Sequence, residues 1–563
     1  MMLPSVTQLF ALLLPCLPLA VAAALYVRPL QARACRLSAW IPLSGLALLF
    51  LYGEVVEFPW LLLGARVGVD DLAAPLLILA SLAWTLAGLH ARSRIPDKDQ
   101  PRFFLFWLLT WTGNLCVFIT LDAASFYAAY AMMSVSAYGL IIFYRRPDDY
   151  RAGRIYLAMA LLGEAFILAG LFLLGSSMGN IAFDQQPDAI AQLQQPLLVA
   201  GLFAAGFAVK MGMVPLHMWL PLAHPQAPVP ASAVLSGVIL KAGLMGCIRF
   251  LPFEVDGFAL LGASLLAIGL VSAFFGVVIG LTQTRMKTVL AYSSISQMGL
   301  ISAGIGAALM DPAIAPALLA AVTLFALHHG LAKTALFLSV DMATERPVLA
   351  RRLVWLPAIA LAGAPLSSGA LAKVNLKSHW PDFLTGLEPL LLISSVATTL
   401  LLTRFLVLLW QSGNEAASDR DGVPAAIPWL LLLLAGLTVP WVATHGFAGL
   451  APLSTTAPFR PDYLLETLLP VVAGLMLATA AWRLNGERWR PNIPPGDLIN
   501  IRLSWSRAPG LLPGFGSLKD GLSPLLETWE RMMGHSEQAL SRMATSLLVL
   551  MSGLGLLLLA VTL

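Results

Sequence analysis

The segment that decides the fold lies near the middle of the chain and reads Lys210-Met-Gly-Met-Val-Pro215-Leu-His217-Met-Trp219-Leu-Pro221. Apolar stretches of about 18 to 25 residues, enough to cross roughly 30 Å of hydrocarbon, recur on both sides of it. A lysine inside such a stretch is costly unless it faces a protein interior or a water-filled cavity. The segment therefore indicates a polar site inside a helical membrane protein.

Composition supports a membrane protein. Hydrophobic residues occupy 58% of the 563 positions and charged residues only 11%, which excludes a water-soluble globular chain. We predict an all-α polytopic fold with about 14 core transmembrane helices, about two further C-terminal helices and an amphipathic helix that connects them. The predicted spans are 6–26, 38–52, 72–90, 103–120, 123–143, 155–175, 197–219, 229–250, 257–281, 287–306, 313–339, 355–377, 388–410, 427–446, 463–482 and 544–562.

The basic residues predict the orientation of the chain. With the N-terminus outside, 25 of the 34 Lys and Arg residues fall in inner loops and 4 in outer loops. This asymmetry places the chain in the bacterial inner membrane with its N-terminus on the outer side, and it explains the net charge of +4 without nucleic acid as a partner.

Five basic residues fall inside predicted spans and have no loop to occupy. Two pairs of them are separated by the same interval, 163 residues, and by five helices. Helix breaks are predicted near Pro215 and Pro365, where proline removes an amide donor. Inverted repeats with broken helices place ion sites near the membrane midplane. The five residues are Lys210, Lys241, Lys333, Lys373 and Arg404.

The predicted domain organisation follows from these repeats. It comprises N-terminal transmembrane helices at 1–102, a first five-helix repeat at 103–250, a second, inverted repeat at 257–410, additional helices at 411–482, an inner-side linker with the amphipathic helix at 483–543, and a C-terminal helix at 544–563.

Polar residues concentrate near the predicted breaks. His217 and His224 adjoin the seventh predicted helix, and the adjacent His328 and His329 lie in the eleventh. A single buried histidine more often has only a packing role than a role in proton transfer. The four histidines indicate a proton path because they concentrate on neighbouring helices.

The motifs resemble those of the antiporter-like subunits of complex I, multisubunit sodium/proton antiporters and energy-conserving hydrogenases. The match covers roughly residues 70 to 410. It rests on the opening segment and on Ala223-His224-Pro225-Gln-Ala227-Pro228, Ser232-Ala-Val-Leu-Ser236-Gly-Val-Ile-Leu-Lys241, Lys287-Thr-Val-Leu-Ala-Tyr292-Ser-Ser-Ile-Ser-Gln297-Met-Gly299, His328-His329-Gly-Leu-Ala-Lys333 and Gly363-Ala-Pro365 before Lys373.

The resemblance implies roles for three lysines. Lys210 matches the family's central proton carrier, Lys241 the residue that joins two half-channels, and Lys373 the residue that opens to the far side. The resemblance departs at Ala131, which stands where the family usually has a glutamate. We predict that Glu164 replaces that acid, because both positions lie at similar depth in a helical hairpin. The alternative is that Glu164 faces a partner subunit or a local backbone group.

The function predicted is proton translocation, with Na⁺/H⁺ exchange as a variant, within a multi-subunit respiratory, hydrogenase or antiporter complex. The proposed pathway residues are Lys210, Lys241, Lys373, Glu164, His328, His329, Lys333 and His217. Two alternatives remain open, a non-conducting structural subunit and the ion-coupling subunit of an inorganic carbon importer. We expect other membrane subunits, the lipid bilayer and protons as partners.

The sequence predicts neither a cofactor nor a metal in this chain. Four cysteines lie far apart with no C-x-x-C pair, and no nucleotide loop or dinucleotide motif occurs. Any redox reaction that drives transport therefore belongs to a partner subunit, and no catalytic site is predicted here.

Overall fold

A computed structural model describes residues 6–178, 182–412, 426–450 and 459–485. In these described ranges the fold is helical apart from one β-hairpin. The α-helices are α1 Val6–Ala24, α2 Arg28–Ser38, α3 Ala73–Arg94, α4 Gln100–Ile119, α5 Ala123–Ile141, α6 Pro147–Met178, α7 Gln186–Ala191, α8 Pro196–Met211, α9 Trp219–Gln226, α10 Val229–Val234, α11 Leu240–Phe250, α12 Ala259–Leu281, α13 Met286–Met310, α14 Ala315–Glu345, α15 Pro347–Leu353, α16 Trp355–Ala362, α17 Ser368–Ser378, α18 Glu388–Ser412, α19 Ala426–Gly446 and α20 Pro461–Asn485.

Shorter helical turns complete the chain. A π-helical turn, Leu235–Ile239, joins α10 to α11, and the 3-10 segments are Ile41–Leu51, Asp382–Leu387 and Ala448–Leu450. Such π-helical turns inside α-helices are frequent at functional sites.

Eleven helices of the described part are long and apolar enough to cross a membrane, or twelve if one bent pair counts as a span. That pair, Arg28–Ser38 and Ile41–Leu51, bends by 61°, and only its second helix coincides with the span predicted at 38–52. The multi-pass all-helical prediction is confirmed. The predicted helix at 544–563 and all but the first residues of the segment at 483–543 lie outside the described residues.

Two helices are interrupted inside the bundle, as predicted from their prolines. In the first, α8 ends at Met211 and Gly212 adopts a left-handed φ of 73° before α9 begins at Trp219. In the second, α16 ends before Gly363, whose φ is 90°, and α17 begins at Ser368. Both positions require glycine because L-residues rarely adopt this conformation.

The position of the lysine relative to the helix break differs between the two interrupted helices. Lys210 precedes the first break, whereas Lys373 follows the second. The glycines at the breaks are 151 residues apart (363 − 212), so the 163-residue lysine interval does not mark equivalent positions of the two breaks. The inverted repeat remains a prediction.

The centre of the bundle is formed by α13 and α14, whose side chains are almost all buried. Glycines let α12 approach α13 closely: a Cβ added at Gly299 would lie 2.5 Å from the Gly269 carbonyl oxygen. This contact fixes the rotation of α13 and thereby the directions of its polar side chains.

A short antiparallel β-hairpin, β1 Val55–Phe58 and β2 Ala65–Gly68, was not predicted. Each strand has only four residues, too few for a periodic signal. Arg66 pairs with Glu57 and Asp184, and its backbone N–H donates to Asp122, the N-cap of α5. The hairpin thus ties this end of the bundle together.

Candidate functional site

The first buried lysine, Lys210, lies in the last turn of α8 and is 3% exposed. Its Nζ donates to Ser134 Oγ on α5 at 2.7 Å. The ring centroids of Tyr130 and Tyr156 lie 5.2 Å and 5.4 Å from Nζ. Electron-rich ring faces stabilise the ammonium without a fixed counter-charge.

Glu164 of α6 is the carboxylate of this site. It hydrogen-bonds Ser134 and interacts electrostatically with Lys210. A serine hydroxyl has one proton, so Ser134 accepts from the ammonium and donates to the carboxylate. The other carboxylate oxygen, Oε1, is buried with no hydrogen-bond partner in the described part of the chain.

The position of Glu164 explains how an acid on α6 reaches Lys210. Ser134 lies three residues after Ala131 on α5, which is about 4.5 Å further along the helix. The hairpin of α5 and α6 therefore brings Glu164 level with Ser134, one turn from the position of the family's glutamate. Glu164 as a functional replacement for that glutamate remains a prediction.

The second lysine, Lys241, is fully buried in α11, directly after the π-helical turn. Its Nζ lies 2.8 Å from His329 Nδ1 and 3.2 Å from the Ser236 carbonyl oxygen. Because an ammonium only donates, His329 Nδ1 is the acceptor and His329 Nε2 carries the hydrogen. The turn aims Lys241 at α14.

A chain of hydrogen bonds leads from the π-helical turn to Lys333. Ser236 Oγ and Ser294 Oγ are 2.6 Å apart, and Ser294 donates to the Leu290 carbonyl oxygen at 3.1 Å. Lys333 Nζ donates to the same carbonyl at 2.8 Å. Lys333 lies one turn after His329 on α14, so the two lysines approach one group of polar residues from two helices.

His328 connects α14 with the second break. Its Nδ1 lies 2.9 Å from Ser368 Oγ, and Ser368 donates to the Gly436 carbonyl oxygen at 2.7 Å. Because the Ser368 proton is used on Gly436, Nδ1 of neutral His328 must donate and Nε2 is the acceptor. His328 is near enough to both Lys373 and Lys241 for each charge to act on it.

Lys373 of α17 folds back over the break. Its Nζ donates to the Ala362 carbonyl oxygen at 2.9 Å and to Ser395 Oγ of α18 at 3.0 Å. The Lys373 side chain also lies against Gly363, where an added Cβ would come within 2.9 Å of Cδ. The carbonyl that Lys373 binds is free for it because the helix stops there.

The other residues singled out from the sequence lie outside the lysine and histidine contacts described above. His217 is buried in the first break with its ring 5.1 Å from that of Phe275. His224 packs against Phe337 at 4.9 Å. Arg404 donates to the Gln283 carbonyl oxygen at 3.1 Å and 3.2 Å. The described contacts thus join Lys241 with His329 and join His328 with Ser368 at the second break, while Arg404 binds a loop carbonyl.

Sequence reasoning missed two features of the site. The first is Lys287, which lies at the start of α13, was not proposed as a pathway residue and donates to the Ala227 carbonyl oxygen. The second is the set of serines that separate the charged groups, Ser134, Ser236, Ser368 and Ser395. Single serines are common in membrane helices, so no sequence pattern distinguishes them.

A cavity of about 230 Å³ opens at the end of the bundle near Lys287. It lies where α6, α9, α12 and α13 meet, and seven of its nine lining residues are polar or charged. The lining residues include Asp148, Arg151, Gln226, Gln283, Arg285 and Thr288.

Residues 120–376 match the family described as NADH:quinone oxidoreductase/Mrp antiporter, TM. The chain is 31% identical over 359 residues to NADH-quinone oxidoreductase subunit M of Pseudomonas aeruginosa, covering 59% of this chain and 68% of that one. It is 27% identical over 527 residues to hydrogenase-4 component B of Escherichia coli, covering 79% and 76%.

A solved structure shares the fold. The Mrp complex from Dietzia sp. DQ12-45-1b superposes with a TM-score of 0.71 at 22% identity, over 88% of this chain and 59% of that chain. The family match includes the two breaks and the four buried lysines, which are the residues that form the site. The chain therefore belongs to the NADH:quinone oxidoreductase/Mrp antiporter family of membrane subunits.

Proposed function

We propose that this chain carries protons across the membrane as one subunit of a larger complex. The proposed path runs from Lys210 through Lys241, Lys333 and His329 to His328 and Lys373, with Glu164 acting on Lys210 and His217 lining the first break. In an alternative form of this proposal, the chain exchanges Na⁺ for protons.

The observation that carries the proposal is how the buried lysines are bonded. In the described part of the chain, Lys241, Lys333 and Lys373 have no carboxylate within ion-pair distance and bind an imidazole, hydroxyls and carbonyls instead. An imidazole or a hydroxyl beside an ammonium can accept its proton and pass another proton on. Inert ion pairs would show fixed carboxylate partners.

The two histidines have complementary polarity. In the proposed step a proton moves from Lys241 Nζ to His329 Nδ1, which leaves the lysine as a neutral amine. The His329 imidazolium then gives its Nε2 proton, through water, to the unprotonated Nε2 of His328. His328 offers an unprotonated Nε2 and holds a proton on Nδ1, towards Ser368 and the second break. Each imidazole therefore receives a proton on one nitrogen and releases one from the other.

Glu164 supplies a field that acts on Lys210. A carboxylate close by favours the ammonium, and a change in its distance or protonation makes Lys210 release its proton. This role fits the Ser134 bridge, because the hydroxyl holds the two groups near each other without direct contact.

The setting of the chain is also part of the proposal. Relatives named as components of a hydrogenase and of an NADH-quinone oxidoreductase support other membrane subunits as partners. The distribution of basic residues supports the inner membrane with an outer N-terminus. The driving reaction then takes place in a partner subunit.

Replacing Lys373 tests the far end of the path. We expect Lys373→Met to lower proton flux through the reconstituted complex about a hundredfold, because a relay group in proton transfer is lost. Lys98→Ala, at an exposed loop position, is the control and should conduct normally. Wild-type flux in the Lys373→Met complex would remove Lys373 from the path.

A further inference from the structure

The cavity at the end of the bundle is a polar site separate from the proposed proton path. It opens where α6 begins at Pro147, α12 ends at Leu281 and α13 begins at Met286. Helices that span a membrane end at its surface, so the cavity lies at the level of the lipid head groups. Its volume of about 230 Å³ is below the roughly 300–1,000 Å³ of sites for drug-sized ligands. The cavity therefore suits a small polar group.

The helix that begins at this cavity, α13, carries charges of the unfavourable sign at its N-terminus. Its N-cap residue is Arg285, whose side chain makes no capping hydrogen bond, and residues 286–289 contain Lys287 and no acid. The first N–H groups of a helix have no partner within the helix and favour negative charge. Two cations beside these N–H groups are unfavourable unless an anion lies with them. The start of α13 thus favours a bound anion.

Thr288 lines the cavity and has a hydroxyl without a partner. The residue is 1% exposed, and Oγ1 has no hydrogen-bond partner among the described residues. Threonines inside helices commonly donate to the carbonyl four residues earlier, as Thr112 does to Leu108 at 2.8 Å. Thr288 lies in the first turn of α13, so the residue four positions earlier, Thr284, precedes the helix. A bound acceptor would satisfy this buried hydroxyl, which is costly to leave unpaired.

The opposite wall of the cavity comes from α6. Asp148 and Arg151 lie one turn apart near the start of that helix, and both line the cavity. Together with Arg285 of α13, the lining has two guanidinium groups and one carboxylate. The positive charges of the lining thus exceed its negative charge.

Two glutamines in the lining bind further arginines. Gln226 Oε1 accepts from Arg146 at 3.4 Å, and the Gln283 carbonyl oxygen accepts from Arg404 at 3.1 Å. Arg146 also pairs with Asp149 at 3.0 Å. The cavity and the groups bonded directly to it therefore contain four arginines and two aspartates, which leaves a positive field for an anion.

We infer that this cavity binds the phosphate group of an anionic phospholipid. The phosphate oxygens accept from the guanidinium groups of Arg151 and Arg285, from Thr288 Oγ1 and from the first amides of α13. Arginine suits this task because its planar fork binds phosphate through two parallel N–H bonds. The inference concerns lipid binding and goes beyond the proposed proton transport.

The position of the cavity favours a lipid as the source of the phosphate. The distribution of basic residues predicts this end of the bundle as the inner side, where anionic lipids attract basic residues. Basic pockets between transmembrane helices on that side bind anionic head groups. Ala152 and the half-buried Leu222 give the lining an apolar part that can contact the lipid beyond its phosphate. Soluble phosphate offers the same chemistry, and the test distinguishes the two sources.

The test is native mass spectrometry of the complete complex, stripped of lipid in detergent and mixed with dioleoylphosphatidylglycerol. We expect the combined variant Arg151→Gln with Arg285→Gln to bind one lipid fewer, with affinity at this site lowered about tenfold or more, because two charge-assisted bonds are lost. Lys98→Gln with Arg352→Gln is the matched control, since it removes two exposed positive charges outside the cavity. Monogalactosyldiacylglycerol, a lipid without phosphate, should not occupy the site.

A second pair of variants changes no charge. Thr288→Val keeps the shape of the side chain and removes its hydroxyl, and we expect the affinity for dioleoylphosphatidylglycerol to fall about fivefold. Thr112→Val, at a buried position outside the cavity, should leave the affinity unchanged. Size-exclusion chromatography checks that each complex remains assembled.

Electron cryo-microscopy of the wild-type complex in phosphatidylglycerol nanodiscs identifies the occupant. We expect a phosphate peak between Arg151 and Arg285 that continues into acyl-chain density and is lost in the double-arginine variant. A compact peak without chains, with displacement of the lipid by inorganic phosphate, would reject the lipid and assign the site to soluble phosphate. Unchanged lipid binding in the double-arginine variant, or water alone in the cavity, would overturn the inference. These readouts do not use proton flux, so their failure leaves the proposed function untouched.

Discussion

Lys210→Ala is expected to reduce proton flux to the background of empty liposomes, a loss of about a hundredfold or more, while the complex still assembles. Alanine suits the last turn of α8, and the α8 interface with α6 is formed by other residues, including Gly206 against Gly163. The substitution therefore removes the titrating group and leaves the helix packing in place.

The measurement is proton uptake into liposomes, followed by a pH-sensitive dye, with subunit composition checked by size-exclusion chromatography. Lys98→Ala again serves as the control for loss of a positive charge. A Lys210→Ala complex that transports protons like the wild type would make Lys210 a structural residue.

Glu164→Gln is expected to lower proton flux about tenfold, because the amide keeps the hydrogen bond to Ser134 but loses the charge that acts on Lys210. Adding Ala131→Glu should restore much of the flux. The new carboxylate would lie one turn from Ser134 on α5, where it can act on Lys210 from the neighbouring helix.

The comparison of single and double variants decides whether the acid has moved from α5 to α6. Loss in Glu164→Gln followed by recovery in Glu164→Gln with Ala131→Glu supports relocation. Unchanged flux in the single variant would exclude Glu164 from transport. Loss without recovery would show that Glu164 acts only in its own position, and relocation would then be rejected.

Hydrophobic length and proline determined how much of the fold the sequence predicted. Apolar stretches identified the spans from the energetic cost of exposing polar groups to lipid. Pro215 and Pro365 located the two breaks, since proline cannot donate to the helix ladder. The β-hairpin had no such signal, and helix Arg28–Ser38 was missed because it is polar and lies between two predicted spans.

The side-chain contacts of the site could not be predicted from the sequence, because the rotation of each helix about its axis depends on how the helices pack. The depth argument placed Glu164 near Ala131, yet Ser134 is the residue it contacts, and only the packed α5–α6 hairpin shows this. Likewise Arg404 was grouped with the buried lysines, but it binds the Gln283 carbonyl at a loop. A list of buried charges does not distinguish these cases.

The central claim is that protons cross the membrane through this chain, and the most direct test is ion flux in the wild-type complex. The purified complex is reconstituted in liposomes, a membrane potential is applied, and internal pH is followed in buffers with and without Na⁺. The account predicts a pH change in Na⁺-free buffer that liposomes without protein do not show under the same potential. No change in internal pH in either buffer, with the complex intact, would contradict it.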